Sequence, residues 1–353
     1  MRKINWYVGK TVFVAVLMVL LVLLALDVVG TFIDEMGSLR GEYTLFEALV
    51  YVLLTVPGRV YQYLPYASLV GCLAGLGILA NASELVVIRA AGVSVARLSW
   101  MVIKPVLLFV ALGIGLGEYV TPYTDLVADS RRALAMGNQH QVQVQGRLWT
   151  REGNDFIYFG AVHPDGVIHG LTRYRFDGQR QLLEASYSRE VSYEGGYWHE
   201  KDVAITHLQN DSAQAEHQQS RRWDTDLSPT LLNIVALEPH ALSIRNLFFY
   251  SSYLRQQGLE TGEYRLALWE KALQPLATVS LVLIAISFIF GPLREVTMGQ
   301  RIFTGVVFGI VFRLTQSLLG PSSLVFGFPP IIAVIIPIAG CFGLGLYLLN
   351  RTR

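Results

Sequence analysis

The sequence predicts an α-helical membrane protein of six transmembrane helices, arranged three plus three around an inserted all-β domain. Three observations predict it. Of 353 residues, 52% are hydrophobic and only 16% are charged, with a mean hydropathy of +0.42, too apolar for an ordinary soluble chain of this size. Six apolar runs are long enough to cross hydrocarbon, since a helix rising about 1.5 Å per residue needs about 20 residues to span about 30 Å. Between the third and fourth runs the hydropathy collapses for about 140 residues, and there apolar and polar residues alternate as in half-buried strands.

The first span is VGKTVFVAVLMVLLVLLALDVVGTFI, residues 8–33. It follows Arg2, Lys3 and Lys10 like a signal peptide, but the run is too long and no small-residue cleavage site follows, so it is read as a retained helix. The second runs from about Tyr61 to Leu79, after an amphipathic lead-in LFEALVYVLLTVPGRV in which Pro57 and Gly58 are expected to bend or break the helix. The third covers about Trp100 to Val120. In the insert, GRLWTREGNDFIYFGAV, GVIHGLTRYRF, LLEASYSREVSY and GYWHEKDVAITHL read as strands, separated by the turn signals EGND, HPDG, FDGQ and YEGG. Their spacing suits a sandwich, a jellyroll or an open barrel. QNDSAQAEHQQSRRW reads as a long loop, and NLFFYSSYLRQQGLETGEYRLALWEKALQ as helical return to the membrane. The last three spans lie near 267–290, 302–320 and 329–349.

Basic residues orient the chain. Arg2, Lys3, Lys10, Arg89, Arg97, Lys104, Arg294, Arg301, Arg351 and Arg353 fall on one side, the cytoplasm, which puts both termini inside and the insert outside. A net charge of +1 gives no reason to expect nucleic acid. Cys72 and Cys341 sit far apart in apolar runs, and the seven histidines show no ligand spacing, so neither a disulfide framework nor a metal site is expected. The VGKT at residues 8–11 is not a P-loop: Ile4 stands where the leading glycine is required and no strand precedes it. No GxSxG elbow or HExxH helix is present either. The chain is therefore read as non-catalytic and without a bound cofactor of its own.

One stretch does not belong to a lipid-embedded chain. ANASELVVIRAAGVSVARL, residues 80–98, lies between the second and third spans with an apolar face of Leu85, Val86, Ile88 and Ala91 beside Glu84, Arg89 and Arg97. One reading is an interfacial helix resting on headgroups. The other is a coupling helix at about 82–97 that fits a groove on a cytoplasmic ATPase, with Glu84 docking against basic groups.

SELVVIRAAGVS, the run SFIFGPLREVTMGQRIFTGVVFG at 287–309, VALEPHALSI at 235–244 and GFPPII at 327–332, together with the three-plus-three architecture, resemble the LptF/LptG permease family of lipopolysaccharide export, closer to its LptG branch. The resemblance covers essentially the whole chain. It implies a permease subunit of an ABC transporter in the cell inner membrane, paired as a heterodimer with an LptF-like permease. It further implies an LptB-like ATPase dimer beneath, carrying the ATP and Mg2+, and LptC- and LptA-like bridge proteins outside. Residues 1–120 then hold the first three helices and the coupling helix, 121–263 a periplasmic β-jellyroll-like domain, and 264–353 the last three helices. Glu84, with Leu85, Ile88 and Arg89 on the same element, becomes the ATPase-coupling group.

Lipid A carries phosphates and acyl chains, so its site calls for basic groups at the outer boundary above an apolar cavity. Arg40, Arg59, Arg131 and Arg132 are the candidates, Arg132 first, each against the alternative of an ordinary solvated arginine. Relatives carry several lysines near the outer end of the first helix, where this chain has TFIDEMGSLRG with Arg40 alone. Asp27, costly in lipid, is expected to face a helix or the cavity, or to snorkel. Gly71 with Gly75, and Gly305 with Gly309, form GxxxG pairs that permit close helix approach, within the subunit or across a seam. The family places the first and fifth helices at the dimer seam, which assigns Phe303, Val307 and Phe312 to cavity or seam. Competing readings are a permease for another lipidated cargo such as lipoproteins, and a non-transporting membrane-anchored scaffold.

Overall fold

A computed structural model describes residues 2–39, 43–136, 149–163, 166–209, 212–225, 227–256, 260–291 and 296–351. Six helical stretches are long and apolar enough to cross a membrane. They are α1 (Arg2–Met36), α2 (Leu45–Asn81), α4 (Val95–Gly115) continued through a π-helical turn (Leu116–Val120) into α5 (Thr121–Met136), α8 (Gly262–Phe290), α9 (Met298–Phe326) and α10 (Pro330–Arg351). Shorter helices are α3 (Glu84–Ala90), α6 (Pro229–Ala236) and α7 (Ile244–Gln256). The chain divides into two compact units: a helical one of Met1–Val29, Val56–Glu118 and Ser243–Arg353, and a second of Gly30–Thr55 and Tyr119–Leu242.

The helical unit is held by an apolar core that draws on every span, including Val12 and Val16 of α1, Leu69, Leu73 and Leu76 of α2, Val102 and Val106 of α4, Leu281 and Ile284 of α8, Phe312 of α9 and Ile338 of α10. Glycines set the closest approaches. A Cβ on Gly71 would meet the Val16 Cα at 2.4 Å, and one on Gly75 the Val12 Cα at 3.0 Å, so α1 lies directly on the α2 backbone. On the other side of α2, a Cβ on Gly305 would meet the Leu73 side chain at 2.5 Å. Both GxxxG pairs therefore pack inside the subunit.

Prolines within these helices are tolerated where another group takes the carbonyl they orphan. α2 runs unbroken through Pro57 and Pro65, so of the bend or break expected at Pro57 and Gly58 the break does not occur. Pro65 leaves the Tyr61 carbonyl without its helical partner, and the Gln274 side-chain amide donates to it at 2.7 Å. Pro275 does the same to the Lys271 carbonyl, which accepts from the Tyr61 hydroxyl at 3.4 Å. Pro122 has no N–H for either Gly117 or Glu118, the chain answers with a π turn, and the buried Lys271 ammonium donates to the Gly117 carbonyl at 3.2 Å. Three proline-freed carbonyls thus interlock α2, α8 and the π turn. The same turn aims Glu118 at the start of α7, where its carboxylate accepts from the Ile244 and Arg245 N–H groups at 2.8 and 3.3 Å.

The second unit contains a six-stranded antiparallel meander in sequence order: β1 (Trp149–Glu152), β2 (Asp155–Val162), β3 (Ile168–Phe176), β4 (Leu182–Glu194), β5 (Tyr197–Gln209) and β6 (Ser212–Trp223). Two hairpins turn where the sequence signals them. Glu152 pairs with Asp155 around Gly153, and Glu194 with Tyr197 around Gly195 and Gly196, the glycines taking positive φ. β6 corrects the loop expected for QNDSAQAEHQQSRRW. It pairs with β5 from Gln209↔Ser212 to Trp198↔Trp223, and its side chains stay largely exposed because it is an edge strand held by its backbone ladder. The apolar core of the sheet gathers Ile157, Phe159, Leu171, Val191, Trp198 and Trp223 with Leu232 of α6. The Trp198 indole N–H donates to the Leu227 carbonyl at 2.8 Å. Beside this core, Arg173 and the fully buried Glu200 form an ion pair at 3.5 Å. Burial pushes the Glu200 carboxyl up and the Arg173 guanidinium down.

Candidate functional site

The segment between α2 and α4 is not the single helix expected at 82–97. Ser83 adopts a left-handed conformation (φ 60°), which ends α2 and turns the chain. Seven helical residues follow, and Gly92 (φ 84°) turns it again before Ser94 caps α4, its hydroxyl accepting from the Arg97 N–H at 3.3 Å. So short a helix cannot hold itself in water, and it is fixed by what it buries. Leu85 and Ile88, 4% and 8% exposed, join the core of the helical unit. Val86 and Val87, 59% and 66% exposed, point away from it. Of the apolar face read from the sequence, Leu85 and Ile88 anchor, while Val86 and Ala91 are presented.

Glu84 is not free on the surface. One of its oxygens accepts from the Tyr7 hydroxyl of α1 at 3.1 Å, and the other is buried without a hydrogen bond among the described residues. Arg89 stacks its guanidinium over the Phe290 ring at 5.9 Å, at the end of α8. Arg301, used in the sequence only to count positive charge, is buried at the start of α9. It donates to the Gly77 carbonyl at 3.1 Å and to the Asn81 side chain at 2.8 Å, tying α9 to the last turn of α2. α3 is therefore held to α1 at its first residue and to α8 near its last, while Arg301 fastens α9 to the end of α2. Val87 and the structural role of Arg301 are what sequence reasoning missed; the capping box formed by Thr297 and Gln300 was the available sign that α9 begins just before Arg301.

The candidate phosphate-binding arginines scatter. Arg40 lies outside the described residues. In the helical unit Arg59 pairs with Asp27, whose second oxygen accepts from the Tyr63 hydroxyl at 2.5 Å, so Asp27 faces α2. In the second unit Arg131 pairs with Glu47 at 3.0 Å. Arg132 pairs with Glu35 at 3.1 Å, where Glu35 also accepts from the Tyr43 hydroxyl at 2.9 Å, and its guanidinium lies over the Tyr51 ring at 5.2 Å. All three described arginines thus already hold a carboxylate within the chain, and an incoming phosphate has to compete with it.

On α9, Phe303 and Val307 are exposed, whereas Phe312 is buried in the core and cannot line a seam. α1 and α9 are the spans that bury least of their surface within the chain. No group of three or more His, Cys, Asp or Glu residues that could hold a metal occurs among the described residues. VGKT lies inside α1, in helix with no strand before it.

The sequence matches the family model described as lipopolysaccharide export system permease LptF/LptG over residues 6–351. It is similar to the lipopolysaccharide export system permease protein LptG of Escherichia coli K12, 38% identical over 349 residues, which is 98% of this chain and 97% of the relative. It is also similar to the protein of the same description from Haemophilus influenzae, 32% identical over 355 residues, covering 100% and 99%.

Proposed function

Since the chain belongs to the LptF/LptG family of lipopolysaccharide export permeases, we propose that it serves as the LptG-like half of a heterodimer with an LptF-like permease. It is a multi-pass protein of the inner membrane. In the proposed assembly both termini face the cytoplasm, residues 121–263 stand in the periplasm toward LptC- and LptA-like bridge proteins, and an LptB-like ATPase dimer beneath holds the ATP and Mg2+. This chain contributes no nucleotide site; the placement of VGKT within a helix supports that reading.

The observation that carries the proposal is the two-faced α3. Leu85 and Ile88 fasten it to the bundle while Val86 and Val87 face outward beside Arg89, on a helix set off by left-handed residues at both ends. Such an element can be pushed as a rigid piece. Closure of the ATPase dimer would press on the Val86–Val87 face, Tyr7 and Phe290 would pass the displacement to α1 and α8, and Arg301, bonded to the end of α2, would carry movement of α2 to α9. α1 and α9, with most of their apolar surface uncovered, suit the walls of a cavity shared with the partner permease, whose narrowing would drive the glycolipid outward.

The test is purification of the tagged chain from its native membrane in mild detergent, with mass spectrometry of the proteins and lipids that accompany it. An ATP-binding subunit, a second six-span permease and lipopolysaccharide recovered together are expected. Lipoproteins in place of lipopolysaccharide would move the cargo assignment, and periplasmic proteins alone would leave a scaffold.

A further inference from the structure

Arg313 lies near the middle of α9, exposed, in the apolar run GVVFGIVFRL. A guanidinium at that depth without an anion is costly, and intramembrane cations mark places where a charged group is handled. Its surroundings are ordered. Gly305, Gly309 and Arg313 follow one another at four-residue spacing on the side of α9 that meets α2. A Cβ on Gly309 would lie 3.6 Å from the Tyr66 ring, and one turn later the Arg313 guanidinium sits 6.0 Å from the centre of that ring.

On α2, Arg59, Tyr63 and Tyr66 are spaced i, i+4, i+7 and form a polar stripe. Below it the same face is apolar, with Val70 and Leu73 against Gly305. Arg59 is neutralised by Asp27 at the top of the stripe. Arg313 sits level with Tyr66, about 10 Å deeper by helical rise. Its charge reaches Tyr63 and, on α8, Glu270. The Glu270 carboxylate, however, faces Gly320, two turns along α9 from Arg313, at 3.5 Å from where a Cβ would stand. Val306, Ile310 and Leu314 beside Arg313 are exposed and apolar.

We propose that Arg313 is a phosphate-binding residue of the transport cavity. It would take a lipid A phosphate of the glycolipid by its guanidinium fork, with Tyr66 beneath it and the acyl chains along Val306, Ile310 and Leu314. The proposal rests on the transport reading above and adds to it a deeper anion position on α9. The fork geometry matches phosphate, and the apolar flanks match the chains attached to it. Tyr66 offers its ring face beneath the guanidinium without adding a competing negative charge, while the Tyr63 hydroxyl stays with Asp27.

The experiment uses the full complex of this chain with its partner permease and ATPase, reconstituted in phosphatidylethanolamine and phosphatidylglycerol nanodiscs. Wild type, Arg313→Ala and Arg313→Lys are compared for binding of lipopolysaccharide with its lipid A phosphates intact or removed. Expected is a loss of about tenfold or more for Arg313→Ala with the intact form, partial recovery with Lys, and no difference between wild type and Ala with the dephosphorylated form. Equal binding of the intact form by wild type and Arg313→Ala overturns the proposal alone. So does loss of the partner permease from the Arg313→Ala complex, which would identify a partner carboxylate as the counter-ion. An equal loss of phosphatidylglycerol retention would identify a bulk-lipid site and overturn it too. A wild-type complex that binds no lipopolysaccharide overturns the transport reading and this proposal with it.

Discussion

A proline inside a membrane helix leaves a carbonyl without its N–H where no water can replace it, so the side chain that takes that carbonyl carries part of the fold. Gln274 is such a side chain, bonded to the Tyr61 carbonyl that Pro65 frees. Gln274→Leu keeps the volume and removes the donor, and it is expected to cost about 1–3 kcal/mol, the penalty of one orphaned buried acceptor. Thermal unfolding in detergent should show a midpoint lower by several degrees, while Pro65→Ala in the same background should restore most of it by returning the backbone N–H. An unchanged midpoint for Gln274→Leu would mean that the carbonyl finds another donor. The prolines were visible in the sequence; their partners were not, because Tyr61 and Lys271 meet only after α2 and α8 pack, 210 residues apart.

Elements that announce themselves by composition were legible: the six spans from apolar runs, and the hairpins at Gly153 and Gly195 from turn glycines. Elements whose stability comes from neighbours were not. β6 has no apolar alternation to read because both of its faces are wet, and α3 is too short for its period to say which valines and leucines turn inward. The glycine pairs were legible as close contacts but not as contacts of α2 with α1 and α9. That geometry makes an asymmetric prediction. Gly71→Ala drives a methyl into the Val16 backbone and should cost about 1–3 kcal/mol, whereas Gly309→Ala meets only side chains at 3.6 Å and should be close to neutral. The sheet offers a second test at this scale. Arg173→Met leaves Glu200 buried with Arg221, 3.9 Å away, as its remaining ion-pair partner among the described residues, and should lose about 3 kcal/mol or more; Arg173→Met with Glu200→Leu should recover most of the loss, because both desolvation costs vanish together. Tryptophan fluorescence follows both variants, since Trp223 lies under Arg173 and packs on Trp198. A double variant as unstable as the single one would show that the pair stabilises the domain outright.

For the molecule as a transporter, the proposed coupling through α3 raises the question of how a push there would reach α1 and α9. α3 has two faces, and they should fail differently. Val86→Ser with Val87→Ser removes exposed apolar surface without touching the core, so the chain should fold and insert normally, with an unchanged midpoint, yet hold its ATPase less tightly. Two valines centred in an interface are worth about 1–2 kcal/mol each, so the affinity should fall at least tenfold. Leu85→Ala with Ile88→Ala attacks the other face. It should lower the unfolding midpoint, and at temperatures where the protein stays folded it should leave ATPase binding nearly intact while lipopolysaccharide release per ATP declines, because the piece being pushed no longer grips the bundle. Measuring ATPase affinity and release per ATP on the same preparations separates the two. If the serine pair instead lowers release per ATP at full ATPase occupancy, the outward face transmits force without supplying affinity. Docking would then have to be assigned to Arg89 and Arg97, the exposed cations on either side of Gly92.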